Sequence, residues 1–151
     1  MQNWEILTLV LAALPLLWSA ILWVAARLGP WRRLALRYPE DQWLSGPEYR
    51  FNSLHSPLTN YGFCINARTS DDLLRLEPMW PFHWHHPAIL LPRSALHKLR
   101  MTRRLWMRCA DCQVDGLELC LSGPMLEDPF FTTEGGSEAS SAREGRSAFP
   151  G

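Results

Sequence analysis

Ile6-Leu7-Thr8-Leu9-Val10-Leu11-Ala12-Ala13-Leu14-Pro15-Leu16-Leu17-Trp18-Ser19-Ala20-Ile21-Leu22-Trp23-Val24-Ala25-Ala26 is a run of 21 residues without a charge. As an α-helix rising about 1.5 Å per residue, it matches the roughly 30 Å hydrocarbon core of a bilayer. It reads as one membrane-spanning helix over residues 6–26. Pro15 removes a helix hydrogen bond and favours a kink, which membrane helices accommodate better than soluble ones. Trp4 and Trp23 stand near the two ends, where a ring that is apolar in body and polar at its N–H settles at the membrane interface.

A cleavable signal peptide is the competing reading, because Val24-Ala25-Ala26 offers small residues at a cleavage position. Three features oppose it: Met1–Glu5 holds no basic residue, the apolar run exceeds a signal core, and Arg27 follows at once.

The flanks set an orientation. Glu5 is the only charge before the run, whereas Arg27, Arg32, Arg33 and Arg37 crowd after it. The positive-inside rule then places residues 1–5 outside and the remainder in the cytoplasm. Lys98 is the only lysine among 15 basic residues, an arginine skew that suits a GC-rich bacterial coding style. The expected location is the inner (plasma) membrane of a bacterium. In that reducing compartment Cys64, Cys109, Cys112 and Cys120 stay thiols; outside it they could form two disulfides. Formal charge balances to zero, so no nucleic-acid partner is expected.

Gly29-Pro30 breaks the long helix, and Pro30 suits the first turn of another, ending before Pro39. Within this juxtamembrane segment, 27–39, Trp31, Leu34 and Tyr38 share one face, opposite Arg32, Arg33 and Arg37. Such a stripe lies in the membrane interface, with Trp31 joining Trp4 and Trp23 there, or packs on the following domain.

Beyond it, short extended runs separated by turn residues predict a small, mainly antiparallel β domain over 40–128, making the chain a membrane-anchored α+β protein. The expected strands are 49–55, 63–68, 73–77, 88–91, 99–109 and 117–121. In the fifth, Leu99, Met101, Leu105, Met107 and Cys109 alternate with polar residues, as in a half-buried strand, although Arg103 and Trp106 break the pattern so that one side is not cleanly apolar. Residues 129–151, rich in Gly, Ser and Glu, are expected to be a disordered tail.

Three stretches could carry function. Cys109-Ala110-Asp111-Cys112 has the spacing of a zinc-binding pair, which His83, His85 and His86 could complete; the same pair could instead be redox-active or simply buried. Trp80-Pro81-Phe82-His83-Trp84-His85-His86-Pro87 could bind a partner, insert its rings into the bilayer interface, or cap the β core. Finally, Lys98, Arg100, Arg104 and Arg108 would share one strand face, able to contact anionic lipid or merely to be solvated. No phosphate-binding glycine loop, nucleophile elbow or metalloprotease motif occurs.

Asp71-Asp72-Leu73-Leu74-Arg75-Leu76, then Phe82, His86-Pro87 and Ile89-Leu90-Leu91-Pro92-Arg93-Ser94-Ala95-Leu96, resemble bacterial single-pass membrane-anchored proteins without an assigned activity. They also look like the middle of a PH/GRAM-type domain, over some 30 residues. Asp72 replaces a favoured glycine, Arg93 a common aromatic, and no strong C-terminal helix follows. The resemblance implies a PH/GRAM-like partial barrel serving as a non-enzymatic binding or scaffold module; apart from it, the anchor makes the membrane and an integral or peripheral membrane protein the expected partners. The resemblance supplies no cofactor and no site residue.

Overall fold

A computed structural model describes residues 3–132. Helix α1, Asn3–Leu28, contains the apolar run; its stretch Trp4–Val24 has mean hydropathy 2.2, and only 6% of its most apolar window is buried. It is long and apolar enough to cross a membrane. Gly29 alone separates it from α2, Pro30–Arg37, where extended backbone at Gly29 and the fixed φ of Pro30 start the new helix without a side-chain cap.

Seven strands follow: β1 Glu48–His55, β2 Asn60–Thr69, β3 Leu73–Pro78, β4 Ile89–Pro92, β5 His97–Arg104, β6 Met107–Val114 and β7 Leu117–Ser122. They form one antiparallel sheet in the order β4-β3-β2-β1-β7-β6-β5, curled into a half-barrel. Alternation along each strand sends Ile65, Leu74, Leu76, Ile89, Leu91, Ala110, Val114, Leu119 and Leu121 to the inner face, where all are buried. Trp31 and Leu34 of α2 close that face at one end. Met125 and Leu126, in a 3-10 turn, and Phe130 and Phe131 of the short helix α3, Pro129–Thr132, complete the core.

Of the two readings of the α2 stripe, packing on the domain is the one observed. Trp31 is 1% exposed, and its Nε1 donates to the Pro87 carbonyl oxygen at 2.8 Å. Its ring therefore packs in the core in place of the expected interfacial position, and its indole N–H has a protein partner.

Two further expectations are corrected. The run 99–109 is two strands, reversed at Leu105-Trp106, with Leu105 at φ 55°. Arg103 and Trp106 break the apolar alternation at this point, but neither Leu105 nor Trp106 is a usual turn former, so the break did not read as a reversal. Residues 129–132 do not belong to a disordered tail: Asp128 accepts the Phe130 N–H at 2.8 Å as an N-cap, and both phenylalanines are buried. The remainder of the expected tail, 133–151, lies outside the described residues.

Each sheet edge is protected differently. Pro39 bridges to Ile89, and the Leu90 N–H donates to the Tyr38 carbonyl at 3.0 Å, so the chain leaving α2 covers β4. On the outer face, residues 40–44 run across β2 and β3, where Arg75 is buried against Glu40 and Glu77. The β5 edge carries Lys98, Arg100, Arg103 and Arg104 plus a register shift, both of which discourage strand addition.

Candidate membrane-proximal site

The aromatic segment between β3 and β4 folds back along α1. A 3-10 turn, Phe82–Trp84, brings the Phe82 ring to 6.3 Å from that of Trp18, edge to face. Trp18 lies six residues inside the C-terminal end of the Trp4–Val24 stretch, about 9 Å along the helix axis. The domain thus overlaps the apolar helix lengthwise. Trp80 and Trp84, with ring centroids 6.3 Å apart, remain 71% and 66% exposed beside it.

The reason the segment holds this position lies beneath it. His86 is buried between Trp31 and Tyr61, with ring centroids at 6.0 and 5.5 Å, and its Nδ1 is 3.0 Å from the Phe82 carbonyl oxygen. Burial pushes the imidazole pKa below its ordinary 6.5 despite that hydrogen bond. His86 is a core residue whose charged form burial disfavours, and the bond through Nδ1 ties the turn to the core.

Between the segment and the two helices runs a groove of about 370 Å³, lined by Trp23, Arg27, Arg32, Leu36, Trp84 and His85, with Ala35 and Pro87. The Arg27 guanidinium lies over the Trp23 ring, 4.7 Å from its centroid. The other two arginines of this basic cluster are engaged elsewhere. Arg33 donates to the Asp115 carbonyl at 3.3 Å, and Arg37 is 3.7 Å from the Asp115 carboxylate, at the β6–β7 turn.

Cys109, Cys112, His83, His85 and His86 are not brought together. Cys109 and Cys112, three residues apart on β6, project to opposite faces of the sheet. His86 is committed to the core, and among the described residues no three His, Cys, Asp or Glu side chains are grouped to hold a metal ion. Burial pushes the Cys112 thiol up to about 12, which disfavours the thiolate that redox chemistry would use.

The basic strand is likewise divided by the hairpin. Lys98 and Arg104 border an outer groove of about 480 Å³ with Asp111 and Cys120. Arg100 pairs in register with Asp111, and Arg104 lies 3.4 Å from its carboxylate, which also accepts a hydrogen bond from Thr102 at 3.0 Å. Arg108 stands opposite Arg103 across the hairpin and so projects from the other face. Four cations on one face become three, one of them paired.

Sequence reasoning singled out Trp23 and the aromatic segment but treated Arg27 as a marker of orientation and Arg32 as that and as part of the polar face of the juxtamembrane segment. Their junction with Trp84 and His85, more than 50 residues away, had no local signal. No family model matches the chain, and neither does any curated protein or solved structure.

Proposed function

We propose that this protein is a non-enzymatic binding module tethered to the cytoplasmic face of a bacterial inner membrane. In this reading α1 spans the bilayer with its N-terminus outside, and the aromatic segment rests in the cytoplasmic interface beside it. The observation that carries the proposal is the contact between Phe82 and Trp18, inside the apolar stretch of α1. A domain packed there is at home only where its own surface meets lipid, and the exposed Trp80 and Trp84 give it one suited to that depth. The arginines after α1 favour the cytoplasmic side.

The binding role draws on the opposite end of the β5–β6 hairpin. Leu105 and Trp106 at its tip are 86% and 76% exposed. Strand β6, about 23 Å from its first Cα to its last, separates them from the Asp115 turn that touches α2. Large apolar side chains held up at a tip and flanked by arginines form a partner-docking element, the partner being another membrane protein.

Topology is tested with Ser94→Cys, at an exposed position, and a membrane-impermeant maleimide. The proposal expects the chain to remain in carbonate-washed membranes and Cys labelling only after the inner membrane is broken. Labelling in cells with only the outer membrane opened would reverse the orientation, and extraction by carbonate would remove the anchor.

A further inference from the structure

We infer that the groove between α1, α2 and the aromatic segment binds the headgroup of an anionic phospholipid. The inference rests on the membrane reading above and names the ligand of that membrane-proximal surface. It transfers the lipid contact from β5 to the helix junction.

Charge supplies the first argument. Arg27 and Arg32 line the groove, and no carboxylate does. Of the four arginines that follow the apolar run, Arg33 and Arg37 are held by Asp115, whereas Arg32 has no ion-pair partner among the described residues. The cluster is therefore split between fastening the domain to α2 and presenting two guanidiniums to the groove. A guanidinium fork matches the oxygens of a phosphodiester, and stacking on Trp23 limits the freedom that Arg27 would lose on binding.

Shape and position supply the second. Trp23, Leu36 and Trp84 provide apolar walls beside the two cations, as a ligand with a charged head and a glycerol-acyl body requires. The groove begins where the uncharged stretch of α1 gives way to Arg27, the level of the phosphates when α1 spans a bilayer. A soluble phosphate would use the arginines but leave the apolar walls idle, so the occupant is a lipid.

The test uses the full chain purified in a non-ionic detergent, with phosphatidylglycerol, phosphatidylcholine and inorganic phosphate as probes, read by native mass spectrometry and thermal midpoint. One phosphatidylglycerol is expected to be retained per chain and to raise the midpoint, with phosphatidylcholine and phosphate doing neither. Arg27→Gln with Arg32→Gln should weaken retention about tenfold or more, from the loss of two interfacial cations. Lys98→Gln with Arg100→Gln should leave it unchanged. Equal retention of the two lipids, equal protection by phosphate, or loss only in the β5 variant would overturn the inference. Far-ultraviolet circular dichroism checks that each variant folds. A chain that resists carbonate but shows no lipid preference sinks the inference alone; one that carbonate extracts sinks the membrane reading.

Discussion

Arg75 grips Glu40 with two nitrogens, Nε to Oε1 at 2.6 Å and Nη2 to Oε2 at 3.1 Å, although 35 residues separate them in the chain. Its Nη1 donates to Glu77 at 2.7 Å, so a buried cation is matched by two carboxylates. Glu40→Gln leaves that guanidinium half-matched and should lower the unfolding free energy by about 1–3 kcal/mol, the worth of hydrogen bonds to a charged group. Urea denaturation of the detergent-solubilised chain measures it. An unchanged midpoint would mean that residues 40–44 do not strap the outer face.

His86 makes stability depend on pH. Burial depresses its folded pKa, so as pH falls the unfolded chain takes up the proton first. The contribution is fully present above about pH 6.5 and is lost as pH drops through the folded value. The thermal midpoint should fall between pH 7.5 and 5.5, and His86→Phe, which keeps an aromatic between Trp31 and Tyr61, should flatten that slope. A variant with the wild-type slope would place the titration elsewhere.

Asp128 gathers three donors: Tyr49 Oη and Thr69 Oγ1, each at 2.7 Å, and the Phe130 N–H at 2.8 Å. Burial alone would raise its pKa, but the hydrogen bonds from Phe130, Thr69 and Tyr49 prevail and hold it below the ordinary 3.8. Its stabilisation is present above that value and disappears only as pH falls past the depressed one. Asp128→Ala removes a cap and two side-chain partners, an expected cost of about 2–4 kcal/mol. Thr69→Val should cost less, and the reverse order in denaturation midpoints would contradict the hub.

Leu105 occupies the left-handed region, where a side chain is strained and glycine is not. Leu105→Gly should hold stability level or raise it by up to about 1 kcal/mol, while Leu105→Val should lower it. Under the proposed docking role, the glycine variant also loses partner capture despite sound folding, a split readable by comparing pull-down with midpoint.

The apolar helix and most strands were legible because composition and period-two alternation are local. Six expected strands correspond to the seven found, the difference being the turn at Leu105-Trp106 that lacks Gly, Asn or Asp. Phe130 and Phe131 looked like the start of a polar tail because their burial depends on Asp128 reaching back to Tyr49 and Thr69. Trp31 was open between two surroundings, as the same stripe suits a bilayer or a core. The groove was illegible because it joins residues 23–36 to 84–87, and only the fold decides which arginines turn toward the aromatics.

Gly29 is the whole connection between α1 and α2. A domain hung on a long tether sweeps a wide volume and meets partners wherever they stand. One joined by a single residue, and braced by Phe82 against Trp18, keeps a set bearing relative to its helix. In the membrane setting proposed above, rotating α1 about its own axis would swing the Leu105-Trp106 tip around like the hand of a compass. Which neighbour it meets would then be decided by how the helix sits among others in the bilayer.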